Sequence, residues 1–312
     1  FTLEGMKEGE KYVWEIGCLK DGSDISKILN NGIPESENLI WSKKGKYQTE
    51  RTWGIYKFLI LLGSLGLFIF GMKLMSEGLQ QTAGGGLRKI LSTMTKNRYL
   101  GVLSGFLITA LVQSSSATTV MTVSFVNAGL LTLLESAGVM MGANIGTTIT
   151  GWLVSLFGFK ISLSSYALIF IALGAPLMFM TKKNARGWAN AIIGFALLFM
   201  GLGFLKNAVP DLGADSPIVA FFTQFSDSPF LGRLAFVALG TLVTVVVQSS
   251  SAAMALTLTM VLKGIIPYEV GAAMILGENI GTTITAELAS LVGNVHAKRS
   301  ARIHSMFNIV GV

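Results

Sequence analysis

From residue 55 onward the chain alternates long apolar runs with short polar breaks. Residues 58–79 form one apolar segment, interrupted by Lys73 and Glu77, which stand four apart and can pair on one helix face. Residues 163–181, with Pro176 inside, form a second, and residues 188–205 a third. Each is close to the ~20 residues that a helix needs to cross a bilayer. Longer stretches rich in Gly and Thr run over 136–157 and 267–293. Residues 1–54 are different: polar, mixed in charge and punctuated by turn signals at Asp21-Gly22, Asn31-Gly32 and Pro34. Residues 11–16 read there as a short strand, and the whole segment as a tail or small extramembrane cap.

Two apolar stretches break in the middle. Residues 100–112 run apolar, meet Gln113-Ser114-Ser115-Ser116, and continue apolar from 117 to 126. Residues 234–247 meet Gln248-Ser249-Ser250-Ser251 and continue from 252 to 262. Each half alone is too short to cross a bilayer. Four consecutive polar residues at membrane depth cannot face lipid, because their unpaired groups would cost several kcal/mol each. They must face protein or a water-filled cavity. The pattern predicts a re-entrant helical hairpin that enters and leaves on one side, with its polar tip in mid-membrane. A single broken helix that crosses fully is the alternative.

The two breaks belong to an internal repeat. QSSSA at Gln113 recurs at Gln248, and GANIGTTIT from Gly142 recurs as GENIGTTIT from Gly277, 8 of 9 residues identical and both 135 residues on. Gly105 and Gly240, and Thr109 and Thr244, keep the same offset. The chain therefore reads as a duplicated unit. Counts of basic loop residues give 10 on one side and 4 on the other whether the hairpins are re-entrant or fully spanning, so the positive-inside rule does not choose. Loop 80–99 carries four basic residues, whereas its counterpart 207–229 carries none and holds Asp211, Asp215 and Asp227. This contrast, with the short half-hairpins, favours two inverted repeats. The expected organisation is an all-α polytopic membrane protein. Residues 1–54 form a polar extracytoplasmic segment, 55–187 the first transmembrane repeat and 188–312 the second. Because the chain starts at Phe1 without Met and ends a few residues into a new apolar run, a processed chain truncated at its C-terminus is expected.

Composition narrows the class. The 312 residues are 51% hydrophobic and only 13% charged, against roughly a quarter charged in soluble domains. Disordered proteins and ordinary soluble enzymes are excluded. Residues 1–54 are net −1, so the remaining net +8 sits in short loops, as in cytoplasmic loops of a plasma-membrane protein rather than a nucleic-acid surface. Cys18 is alone, so no intrachain disulfide forms.

The recurring motifs supply hydroxyls and amides without fixed charge. Half-helix N-termini suit an anion, and unwound carbonyls suit a hard cation such as Na+. No Lys or Arg lies between Arg98 and Lys160 or between Arg233 and Lys263. An anion there would be neutralised by dipoles, hydroxyls and co-bound cations, which predicts obligatory cation coupling. Glu278 breaks the symmetry, standing opposite Ala143, and reads as a Na+ ligand or a proton-coupling group. Glu287, opposite Trp152, reads as interfacial or pore-facing, Glu135 as a loop residue and His304 as a packing or hydrogen-bonding histidine. No nucleophile–base pair or metal cluster marks an enzyme. The residues alone reach a cation-coupled transporter of a small anion with a midplane site.

At these motifs the sequence resembles the sodium/phosphate cotransporter family (the type II transporters and their bacterial relatives). The likeness rests on Gln113 to Ser116 with Gly142 to Thr148, on Gln248 to Ser251 with Gly277 to Thr283, and on residues 302–308. It covers roughly residues 58–312, in order and spacing. The resemblance implies an inverted-repeat fold and Na+-coupled symport of inorganic phosphate by alternating access. It implies that Gln113, Ser114, Ser115, Ser116, Gln248, Ser249, Ser250 and Ser251 cradle phosphate. It implies that Asn144, Thr147, Thr148, Asn279, Thr282 and Thr283 help hold Na+; Glu278, which joins this set as a Na+ ligand on its own chemistry, departs from the small neutral residues common at its position. Na+ is then a co-transported ion, no organic cofactor is needed, and the lipid bilayer and a homo-oligomer are the expected surroundings. Transport of another oxyanion such as sulfate or arsenate, and an uncoupled channel or exporter on the same fold, are the alternatives.

Overall fold

The computed structural model describes residues 11–14, 17–19, 39–41, 45–48, 55–94, 97–210, 216, 219–220, 222 and 230–312. The chain divides into two units, Phe1–Lys57 and Phe58–Val312. In the first, β1 (Lys11–Trp14) pairs antiparallel with β4 (Gly45–Gln48), and β2 (Gly17–Leu19) with β3 (Leu39–Trp41). The expected strand over 11–16 is thus present over 11–14. Glu15 and Ile16, the turn signals at Asp21-Gly22, Asn31-Gly32 and Pro34, and the acidic residues Asp211, Asp215 and Asp227 lie outside the described residues.

From residue 55 the described elements are all helical: α1 (Ile55–Met94), α2 (Arg98–Val112), α3 (Ser115–Asn127), α4 (Leu133–Leu153), α5 (Ala167–Met178), α6 (Lys183–Ala208), α7 (Leu231–Val247), α8 (Ser250–Leu262), α9 (Tyr268–Ser290) and α10 (Val295–Gly311). Three stretches are long and apolar enough to cross a membrane: Ile55–Ala83, Leu133–Lys160 and Lys183–Ala208. The second includes a π-helical continuation of α4 over Val154–Lys160.

Three expectations need correction. The apolar run 163–181 is not one crossing helix. It opens as a 3-10 turn, Leu163–Tyr166, after Ser162 in a left-handed conformation, and α5 ends at Met178. Clustered serines at one end and Pro176, which has no N–H to donate, at the other limit its length. The loop expected over 80–99 is instead helical to Met94. Glu135 is not a loop residue but the third residue of α4. Thr132 N–H and Oγ1 each donate to Glu135 Oε2 at 2.8 Å, and Glu135 N–H donates back to Thr132 Oγ1 at 3.3 Å. That reciprocal capping box satisfies two otherwise unpaired donors.

Glycine sets the helix packing. A Cβ on Gly105 would strike the Val139 carbonyl, and one on Gly142 the Val102 carbonyl, so α2 and α4 meet backbone to backbone. Shifted by 135 residues, Gly240 meets Met274 and Gly277 meets Val237, and α7 lies on α9 in the same way. Such seams replace the missing hydrophobic force between helices in lipid with close van der Waals contact. A second seam joins α1 to α6, where Gly71 approaches Leu198 and Gly194 approaches Met75. Around it Phe68, Met72, Leu198, Phe199 and Leu202 form the main core with Ala252 and Ala255 of α8. The halves interlock: α3 packs on both α4 and α9, and α8 on both α9 and α4.

Gly142→Ala and Gly277→Ala should each lower stability by about 1–3 kcal/mol, because backbone cannot yield as a side chain does. Thermal unfolding of the detergent-solubilised protein reads this. Unchanged melting of both variants would show that the helices are not in backbone contact.

Candidate functional site

The two helix breaks have the same conformation. Gln113 sits at φ 56°, ψ 30° and Gln248 at φ 57°, ψ 21°, both left-handed. Ser114 and Ser249 follow in extended conformation, at φ −147° and −149°. A non-glycine residue in the left-handed region costs about 1–2 kcal/mol, and local hydrogen bonds offset it. Gln113 Nε2 donates to the Ala110 carbonyl at 2.5 Å, and Gln248 Nε2 to the Val245 carbonyl at 2.6 Å. The Ser114 hydroxyl accepts from Ala117 N–H at 3.1 Å, and the Ser249 hydroxyl from Ala252 N–H at 3.3 Å. Gln therefore closes the C-terminus of one helix, and Ser caps the N-terminus of the next.

All eight residues of the two QSSS motifs line a single cavity of about 350 Å³. The N-terminal ends of α3 and α8 both open on it, each carrying a partial positive charge and unpaired N–H groups. Its remaining wall is one face of α1, with Met72, Lys73, Ser76, Glu77 and Gln80. Lys73 Nζ lies 3.9 Å from Glu77 Oε1, and Gln80 Nε2 donates to Ser76 Oγ at 3.0 Å. The pairing of Lys73 with Glu77 was legible from their spacing, but their place at the cavity was not. The motif stretches carry no Lys or Arg, as the sequence shows, but α1 brings Lys73 to the same cavity. The missed signal was the set 73, 76, 77 and 80, polar at helical spacing inside an apolar run.

The halves are not equivalent. Gln113 is buried and its Oε1 accepts from Thr150 Oγ1 at 3.0 Å, whereas Gln248 is exposed and Thr285 donates to the Thr282 carbonyl instead. Thr109 Oγ1 donates to Thr118 Oγ1 at 2.9 Å. In the second half the partner is replaced by Ala253, and the buried Thr244 hydroxyl has no hydrogen-bond partner.

The other seven sequence candidates lie apart from this cavity. Thr147, Thr148, Thr282 and Thr283 each donate to a carbonyl of their own helix, three or four residues back. Such hydroxyls keep their lone pairs for a cation. Asn144, Thr148 and Asn279 line a second cavity of about 260 Å³, and with Thr147 a third of about 620 Å³. Asn144 Nδ2 donates to Asn308 Oδ1, and Asn308 Nδ2 donates to the Asn279 carbonyl at 2.9 Å. His304 Nε2 lies 3.3 Å from Asn144 Oδ1. His304 is buried and hydrogen-bonding, as its sequence context suggested, whereas the bridging place of Asn308 was not anticipated. Glu278 is buried on α9; Thr257 Oγ1 donates to its Oε1 at 2.7 Å, and its Oε2 has no partner. Glu278, Thr282 and Thr283 line none of these three cavities. Glu287 Oε1 accepts from Ser305 Oγ at 2.7 Å. Among the described residues no group of three or more His, Cys, Asp or Glu could hold a metal ion.

Comparison with known proteins follows these motifs. The sequence profile of the Na+/Pi-cotransporter family matches residues 67–207 and 215–311. YjbB of Escherichia coli (strain K12), named as a candidate inorganic phosphate export protein, is 30% identical over 253 residues, 80% of this chain and 45% of that protein. The chain thus spans about half the length of that relative. The uncharacterised protein YqeW of Bacillus subtilis (strain 168) is 27% identical over 81% of each chain. The sodium-dependent phosphate transport protein 2B of Homo sapiens is 39% identical over 138 residues, 44% of this chain and 19% of that protein. No solved structure matches the chain.

Removing the one hydroxyl that serves Glu278 isolates its carboxyl. Thr257→Val should lower stability by about 1–3 kcal/mol, the cost of an unsatisfied buried polar group. Thermal unfolding in detergent measures it, with wild-type melting as the contrary result.

Proposed function

The chain belongs to the Na+/Pi-cotransporter family, and on that premise we propose that it is a sodium-coupled phosphate symporter of the plasma membrane. The observation that carries the reading is the convergence of both QSSS breaks on one cavity. Phosphate binds there, accepting from the serine hydroxyls, the glutamine amides and the N–H groups that open α3 and α8. Small residues serving only to pack helices would not need two glutamines, each closing a helix end against the same space.

Na+ binds at Asn144, Thr147, Thr148, Glu278, Asn279, Thr282 and Thr283. Support comes from hydroxyls whose protons are turned to their own helix, and from a buried Glu278 oxygen without a partner. A cation at Glu278 would offset a charge that is otherwise costly there. Residues 55–187 and 188–312 are the two inverted repeats. The helix pairs α2–α3 and α7–α8 are re-entrant hairpins, since α2 and α3, with 15 and 13 residues, reach only about 20 Å each against a ~30 Å hydrocarbon core. Alternating access moves the site between the membrane faces, residues 1–54 lie on the extracytoplasmic side, and the chain works alone or as a homo-oligomer. The reaction needs no organic cofactor, and the lipid bilayer surrounds the protein.

A second reading, phosphate export, is favoured by the name carried by the Escherichia coli relative. Reconstitution into liposomes separates the two. Radiolabelled phosphate should accumulate with an inward Na+ gradient and not with K+ in its place. Uptake indifferent to Na+, with efflux from loaded vesicles, would favour the exporter. Gln113→Ala and Gln248→Ala should each reduce Na+-driven uptake to the level of empty liposomes while the protein remains monodisperse. Wild-type rates in both would overturn the site assignment.

A further inference from the structure

We propose that Glu77 makes the QSSS cavity selective for oxyanions that still carry a proton, such as hydrogen phosphate or arsenate, over sulfate, with Lys73 supplying the fixed positive charge. The inference rests on the phosphate reading above and assigns α1 a role that the repeated motifs do not contain.

The pair lies within the stretch Ile55–Ala83, which is apolar enough to cross a membrane. Ionisable side chains in such a setting face a water-filled space or one another. Here they do both. They line the cavity with the QSSS residues, and their side chains keep 72% and 57% of their exposure, so they are not sealed into the packed core. At 3.9 Å the ion pair is looser than a hydrogen bond, which leaves Lys73 N–H groups and Glu77 lone pairs available to a ligand. The neighbouring Ser76 and Gln80 are engaged with each other.

Among the described residues, Glu77 is the one acidic side chain lining the cavity, and apart from Lys73 the other polar lining groups are neutral. Lys73 attracts any anion. Glu77 repels an anion that has no hydrogen, because two acceptors then face each other. An anion with an O–H reverses that sign by donating to the carboxylate, and forms a charge-assisted hydrogen bond. Hydrogen phosphate and arsenate have that O–H near neutral pH, and sulfate does not. The cavity discriminates by a repulsive element as well as an attractive one.

The test is binding of radiolabelled phosphate to the full purified chain in Na+-containing detergent, read by scintillation proximity, with unlabelled arsenate and sulfate as competitors. For the wild type, arsenate should displace the label and sulfate should not at equal concentration. In Glu77→Gln the ratio of sulfate to phosphate inhibition constants should fall at least about tenfold, because the carboxamide offers a donor to sulfate. Glu77→Asp keeps the carboxylate and should keep sulfate excluded, which separates acceptor chemistry from misfolding. Lys73→Gln should weaken phosphate and arsenate together without admitting sulfate. An unchanged ratio in Glu77→Gln, or a wild type displaced by sulfate as readily as by arsenate, overturns the role of Glu77 alone. A wild type that binds no phosphate overturns the phosphate reading and this inference with it.

Discussion

A helix that stops in an apolar setting must find partners inside the protein for the backbone groups it frees. At residues 113–114 and 248–249 the side chains themselves do this. A glutamine amide is long enough to return to a carbonyl of the helix just ended. A serine hydroxyl is short enough to cap the helix about to begin. Two helix starts are thereby held facing one cavity, in nearly identical backbone geometry. The wall of α1, the glycine seams and the crossing of α3 and α8 between halves all keep that arrangement in place.

Much of this was readable in the residues. The 135-residue offset located the duplication, and the short apolar halves around each QSSS located the breaks. The glycines at 105, 142, 240 and 277 kept the same offset because the backbone contacts they permit recur with it. Other features were hidden for definite reasons. The cavity face of α1 lies outside the recurring QSSS and NIGTT motifs, so comparing those motifs could not flag it, although its polar residues stand at helical spacing. Glu135 carried its own signal, three residues after Thr132, but a capping box competes with the appearance of a polar turn. The stretch 163–181 looked long enough to cross because hydropathy counts Leu and Ile without regard to the serines and the proline that end a helix. The contacts of Asn308 depend on α10 folding back onto both NIG segments, a tertiary fact with no periodic trace.

The duplicated halves have also diverged in a consistent direction. The first half retains Thr118 beneath Thr109 and ties Gln113 to Thr150, so its side of the cavity is internally satisfied. The second replaces the threonine with Ala253 and leaves Gln248 exposed. It places Glu278 where the first half has Ala143. One wall of a pseudo-symmetric site is therefore fixed by its own hydrogen bonds. The other keeps unspent polar capacity.

Asn308 occupies a kinetic position. One amide group holds the Asn144 side chain of α4 and the Asn279 carbonyl of α9, with His304 alongside. Any motion that parts α4 from α9 must break these contacts together. They stabilise the resting arrangement, and whatever part is lost before the transition state adds to the barrier for leaving it. Every ~1.4 kcal/mol held there slows such a motion about tenfold. One side chain on α10 thus couples the two NIGTT segments, so that neither can leave the other without releasing it.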